Sequence, residues 1–284
     1  MRAIFLALLL CVTQVSFAKP KLPRPPKDLN QTFIIYSLRT YPGMFASCVC
    51  VLSFLDLCEQ GSIAGGRVDF GTEGVYYDPM VGENWWEYYF EPISVSFKPA
   101  KKTAPCDRAT TYLCGINSKK LSMQRMQDLN QRYVKIKPHI LEQVESFQTA
   151  YFQDFHILGV HYRGTDKSRE TPRVPYESVY IEIEKAIAAL PDDHYKIFVC
   201  TDEEAFLKEI SEVFPEKILC TNATRSTDLT PIHFAEVGQY RLGEEALIDC
   251  QLLSRCHLLI RTPSYFSQYA EVFNSKLPVI LVEK

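Results

Sequence analysis

From residue 156 onward, short apolar runs alternate with amphipathic stretches, and that alternation leaves few folds open to the chain. The runs 156–161, 196–201, 217–221, 257–262 and 277–282 have the length and apolar character of strands. Between them, Val179, Ile183, Ile187 and Leu190 stripe one helix, and Phe206, Ile210 and Val213 stripe the next. Residues 244–255 and 264–274 read as two more helices. Strands alternating with helices form a parallel sheet covered on both faces, with right-handed crossovers. The carboxyl ends of all the strands then share one edge, where such sheets bind ligands. Residues 153–284 are therefore expected to form a doubly wound, Rossmann-like domain.

The first half is less regular. A strand is expected over 33–36, a turn at Pro42-Gly43, and a buried helix over 44–59, which is apolar almost throughout. Residues 61–118, rich in Gly, Pro and aromatics, show no usable periodicity. Pro138 opens a helix with Ile140, Val144, Phe147 and Tyr151 on one face. Residues 31–152 are expected to form a smaller α/β domain facing the second across a cleft.

Before these lies a leader. Arg2 precedes the uncharged run 3–17, and Ser16 and Ala18 occupy the small-residue positions of a signal-peptidase site. That run falls short of the roughly 20 apolar residues a membrane-spanning helix needs, so cleavage after Ala18 is expected rather than anchoring. Residues 19–30, with Pro20, Pro23, Pro25 and Pro26, read as an extended linker. No later stretch is long and apolar enough to span a bilayer, so the expected location is the secretory pathway, the exterior or a periplasm. Of the ten cysteines, nine follow the leader. Cys106 and Cys114, flanking a polar, loop-like segment, are the best disulfide candidates. Sequons stand at Asn30 and Asn222.

Charge excludes a general nucleic-acid binder: 31 basic residues stand against 34 acidic ones. The distribution is uneven, with ten Lys/Arg and two Asp/Glu in residues 98–139, and three against eleven in 177–216. Such runs are usually solvated helix faces.

Chemistry is expected just beyond the strand ends. After the first strand of the second half comes His161-Tyr162-Arg163-Gly164-Thr165-Asp166-Lys167, with Glu170 close behind. Asp202 follows the second strand, and Thr262-Pro263-Ser264-Tyr265-Phe266-Ser267 follows the fourth and opens a helix. A helix start suits a phosphate, and Arg163 adds a bidentate contact to the same anion. Each position also has a structural reading: His161 as a backbone-satisfied core histidine, Arg163 with Asp166 as an ion pair, Asp202 and Ser264 as helix caps, Asp249 as an outward-pointing residue. The sequence has no P-loop, H-E-x-x-H or D-x-D motif, so no metal ligand set is expected.

The run from His161 to Lys167 resembles the H-x-R-x-T-D-K signature of the α1,6-fucosyltransferase superfamily, which includes the rhizobial nodulation enzymes and, more distantly, the protein O-fucosyltransferases. Residues 197–202 resemble its second motif, and 248–254 with 262–267 its third. Residues 41–45 and 86–92 are similar to bacterial members. The resemblance spans roughly residues 32–284. It implies a GT-B-type glycosyltransferase of two Rossmann-like domains, using GDP-fucose without metal or other cofactor and inverting the anomeric carbon. Its partners would be the nucleotide-sugar donor and an exported glycan or glycoprotein acceptor. Carried over residue by residue, Arg163 would grip the β-phosphate, and His161 and Asp202 would hold the guanine. Ser264, Ser267, Asp249 and Gly43 would complete the donor site. Glu170 would be the general base, oriented by Lys167. Gly164 stands where the family usually carries a second arginine. Two alternatives remain open: another nucleotide sugar as donor, or a catalytically silent nucleotide- or glycan-binding member.

Overall fold

The computed structural model describes residues 27–38, 43–72, 74–165, 173–232 and 238–283. The leader, most of the proline-rich linker, Pro42, and Asp166, Lys167 and Glu170 lie outside them. The second half holds a five-stranded sheet: β5 (His156–Tyr162), β6 (Tyr195–Thr201), β7 (Ile218–Leu219), β8 (Leu258–Arg261) and β9 (Val279–Leu281). Its order is β7-β6-β5-β8-β9, and every pairing is parallel. The chain builds outward from β5 on one side and then returns to continue on the other. The reversal between β5 and β8 is the topological switch point at which open α/β sheets form a crevice.

The connecting helices are α6 (Tyr176–Ala188), α7 (Glu204–Val213), α8 (Gln239–Ser254) and α9 (Tyr265–Phe273). Helix α8 starts five residues before the expected 244. Gly243 interrupts the apolar pattern, but it is glycine for a packing reason: a Cβ there would lie 2.3 Å from the Tyr89 hydroxyl.

The first half is a four-stranded sheet of β1 (Thr32–Tyr36), β2 (Gly65–Val68), β3 (Ser94–Ser96) and β4 (Lys102–Pro105), in the order β3-β2-β1-β4. Only β3 runs antiparallel. Residues 61–118, opaque in sequence, supply three of these strands together with α2 (Trp86–Tyr89) and α3 (Arg108–Ser118). Cys114 lies inside α3 rather than in a loop. Cys106 and Cys114 are both buried and no disulfide joins them, which corrects the disulfide expectation; of the other seven described cysteines, Cys50 and Cys220 are half-buried and the rest buried.

Helix α1 (Met44–Glu59) is buried on nearly every side, as an all-round apolar helix must be. It packs against α3, α9 and α4 (Met123–Tyr133). Helix α4 was not anticipated, although its Ser122 N-cap and the spacing of Met126, Leu129 and Tyr133 signal it. Before α8, α5 (Pro138–Tyr151) begins where Pro138 predicts.

One continuous apolar core joins the halves. Phe45 of α1 meets Phe266 of α9 edge-on at 5.3 Å, and Tyr89 of α2 stacks on Tyr240 of α8 at 5.6 Å. The Tyr269 hydroxyl donates to Asn130 Oδ1 at 2.8 Å. A second core fills the far face of the five-stranded sheet under α6 and α7.

The basic stretch of 98–139 is partly neutralised. Arg125 of α4 donates to Asp56 and Glu59 of α1 at 2.7 Å each, and Arg132 and Tyr133 also donate to Glu59. Burial pushes the Glu59 carboxyl up, but hydrogen bonds from Tyr133, Arg132 and Arg125 outweigh it and hold the group at about 2, below its ordinary 4.5. A depressed folded pKa stabilises above the unfolded value and is lost as pH falls through the folded one. Melting curves should therefore show a loss of stability between pH 4.5 and 2 that Glu59→Gln removes, while costing about 1–2 kcal/mol at pH 7.

Candidate functional site

At the carboxyl edge of the five-stranded sheet, a cavity of about 420 Å³ opens between the two halves. Its floor is made by the ends of β5, β6 and β8. His161 pairs with Cys200 on β6 and with Arg261 on β8, so Arg163, Asp202 and Ser264 arrive side by side although a hundred positions of sequence separate them. Gly43, Met44, Phe45 and Ala46, the first turn of α1, and Tyr76 form the opposite wall. Ser264, Tyr265 and Phe266 at the start of α9 close one end. Two helix N-termini, one from each half, thus flank Arg163. Their partial positive charges add to that of the guanidinium, and an anion is the natural occupant.

The loop after β5 is fixed by one carboxylate. Asp202 accepts from the Gly164 N–H at 2.9 Å, the Thr165 hydroxyl at 2.6 Å and Arg163 Nη1 at 2.9 Å. The Arg163 N–H donates to the Thr262 hydroxyl at 3.0 Å, tying the loop to β8 as well. Asp202 therefore does more than the helix cap its position suggested, and the N-cap of α7 is Glu203. Ser264 does cap: it accepts from the Phe266 N–H at 3.2 Å while lining the cavity. Ser267 does not reach the cavity. It is fully buried, and its hydroxyl turns back to the Thr262 carbonyl.

His161 is 4% exposed, stacked on Phe266 at 4.9 Å, and its Nδ1 is buried without a hydrogen-bond partner among the described residues. Burial, with Arg163 and Arg261 adding to it, pushes the imidazole down to about 3, so it is neutral at physiological pH. Tyr76 was not anticipated. Its hydroxyl accepts from the Met44 N–H at 3.0 Å, which places a phenol opposite Arg163.

Asp249 points inward, not outward. It is 6% exposed and accepts from the Thr221 hydroxyl at 2.6 Å. One turn earlier on α8, Glu245 also lines the cavity and accepts from the Thr224 N–H at 2.8 Å. Nothing in the sequence singled out Glu245, since an acid four places before another looks like an ordinary helix face.

Gly164 is enclosed: a Cβ there would lie 1.8 Å from Glu203 Oε2. Glu203 is itself buried and takes Arg173 at 2.5 Å. Arg173, also unanticipated, donates to the Gly164 carbonyl at 3.4 Å, so a guanidinium does stand beside this position. Among the described residues, no group of three His, Cys, Asp or Glu converges as a metal site.

The family model for nodulation protein Z matches residues 106–280. The chain belongs to the nodulation protein Z family. Nodulation protein Z of Sinorhizobium fredii is 24% identical over 249 residues, covering 76% of this chain and 72% of its own. The protein of the same name from Bradyrhizobium diazoefficiens is 26% identical over 152 residues, half of this chain and 41% of that one. Among solved structures, NodZ α-1,6-fucosyltransferase soaked with GDP-fucose superposes with a TM-score of 0.59 at 20% identity, covering 85% of this chain and 92% of that one. POFUT1 in complex with GDP gives 0.53 at 11% identity, covering 90% and 99%. The nodulation protein Z fold, a GT-B-type arrangement, is thus this chain's fold.

Burial raises Asp249 to about 6; Thr221 and Arg225 pull it down, and Glu245 pushes it up. A raised acid stabilises fully only below its unfolded pKa, near 3.8, and that contribution is lost as pH rises through 6. Relative to the parent, Asp249→Asn should therefore be more favourable at pH 7.5 than at pH 4.5, by roughly 1–3 kcal/mol in paired melting curves.

Proposed function

We propose that this chain is a glycosyltransferase that moves fucose from GDP-fucose to an exported glycan or glycoprotein, with inversion at the anomeric carbon. The observation that carries the reading is Arg163 flanked by the N-termini of α1 and α9 in a cleft at the switch point of the sheet. The relatives named for GDP-fucose chemistry share this fold, and the H-x-R-x-T-D-K run supplies the arginine. The signal-like leader supports export.

In this reading the diphosphate lies across Arg163 and the start of α9. As the bond from fucose to the β-phosphate oxygen breaks, negative charge grows on GDP. Arg163 and the helix N–H groups stabilise it most strongly at that point, without reorganising. Arg163 does not collapse into the cavity beforehand, because Asp202 holds it by an ion pair and Thr262 holds its backbone. The acceptor hydroxyl attacks the opposite face of the anomeric carbon and gives up its proton to a carboxylate. Glu170 is the proposed base, with Lys167 keeping it ionised.

Thermal shift and product assays test this together. GDP at 100 times its dissociation constant should add about 2.7 kcal/mol of stability, and purified protein should slowly release GDP from GDP-fucose. Arg163→Ala should weaken GDP by about 1.5–3 kcal/mol and abolish turnover. Binding of GDP without any release would instead identify a catalytically silent member. No shift with GDP would refute the reading.

A further inference from the structure

Gly164 directly follows Arg163, and a glycine leaves the backbone there with more conformational freedom than any other residue would. The fold removes that freedom from both sides. The Gly164 N–H is held by Asp202 at 2.9 Å, and its carbonyl accepts from Arg173 Nη1 at 3.4 Å. Arg173 Nη2 donates to Glu203 at 2.5 Å and to the Tyr176 hydroxyl at 2.9 Å. Its guanidinium carbon lies 5.8 Å from the centre of the Tyr162 ring and 5.3 Å from that of Tyr176. The two acids are anchored in turn. The Ser226 N–H donates to the Asp202 carbonyl at 2.9 Å, and the Glu204 N–H donates to the Ser226 carbonyl at 3.0 Å.

As a source of stability the Glu203–Arg173 pair is a poor choice. Glu203 is 2% exposed, and its Oε2 is buried with no hydrogen-bond partner among the described residues. Leaving one oxygen of a buried carboxylate unsatisfied is costly, and a buried ion pair commonly adds nothing over apolar residues of similar volume. Neither residue lines the cavity, so a direct contact with the donor does not explain the pair either.

Resting on the donor reading above, we propose that Arg173, held by Glu203, is a positioning residue for Arg163. It locks the Gly164 peptide, so the neighbouring guanidinium is in place before charge develops on the departing diphosphate. A loosely held arginine keeps its charge and still attracts the anion in the ground state. Stabilising the transition state needs donors fixed beforehand, and a displacement of about 1 Å costs up to roughly 100-fold in rate. The pair therefore governs turnover far more than donor affinity.

Two variants separate positioning from plain structural support, read by GDP release from GDP-fucose, GDP titration and melting curves. Arg173→Lys keeps a charge opposite Glu203 but lacks the fork that reaches Glu203 and the Gly164 carbonyl together. It should melt close to the parent and bind GDP within about threefold of it, with kcat lowered about 10- to 100-fold. The double variant Glu203→Gln/Arg173→Met removes both charges at nearly constant volume. It should melt at or above the parent and show the same loss of kcat. In both, amide exchange in the peptide spanning 159–165 should be faster than in the parent. If both variants keep the parental kcat, or if kcat falls only in step with melting temperature, the pair is structural and the proposal falls while the donor reading stands. A loss of GDP affinity as large as the loss of kcat overturns it equally. A parent that releases no GDP from GDP-fucose overturns the donor reading and this proposal together.

Discussion

The site depends on one buried carboxylate. Asp202, at the end of β6, receives the backbone of Gly164, the hydroxyl of Thr165 and the guanidinium of Arg163, all on the loop leaving β5. Parallel pairing places the two strand ends side by side, and an acid on one strand can then organise the loop of the next. The neighbouring acid repeats the device: Glu203 takes Arg173, whose other nitrogen touches the Gly164 carbonyl. Consecutive acids after β6 thus hold Gly164-Thr165 and Arg173, the described residues on either side of 166–172. This also accounts for the glycine at 164, because the Glu203 carboxylate fills the space a side chain would need.

A second constraint is the neutrality of His161. A charged imidazole between Arg163 and Arg261, with no carboxylate among its partners, would be repelled and poorly solvated; the ring therefore stays neutral. Its aromatic face rests on Phe266, so the residue that floors the cavity also braces the first turn of α9.

The second half was readable from sequence because its signals are local. Strand length, helical stripes and crossover handedness follow from residues close together in the chain, and the five strands and the helices α6, α7 and α9 stand where periodicity put them to within a few residues. Helix α8 is the informative miss: Gly243 looks like a break until Tyr89, far away in sequence, is seen to occupy the space. The same applies to 61–118, where small strands owe their existence to partners elsewhere and not to their own pattern. In the site, strand-end residues such as Arg163 and Asp202 were legible, since topology alone brings them together. Tyr76 and Glu245, which line the cleft, and Arg173, which braces Gly164, were not, because each arrives through tertiary placement that no spacing encodes. Ser267 shows the converse: its helical position fits the site, but its side chain faces the core.

The continuous core between the halves bears on how such a chain can diversify. Phe45 on Phe266, Tyr89 on Tyr240 and Asn130 on Tyr269 are matched pairs across the seam. A first half exchanged by recombination would arrive with the wrong partner for each. Modular shuffling of the two halves is therefore closed to this architecture. New specificity has to arise by substitution within the cleft walls, one residue at a time, while the seam stays as it is.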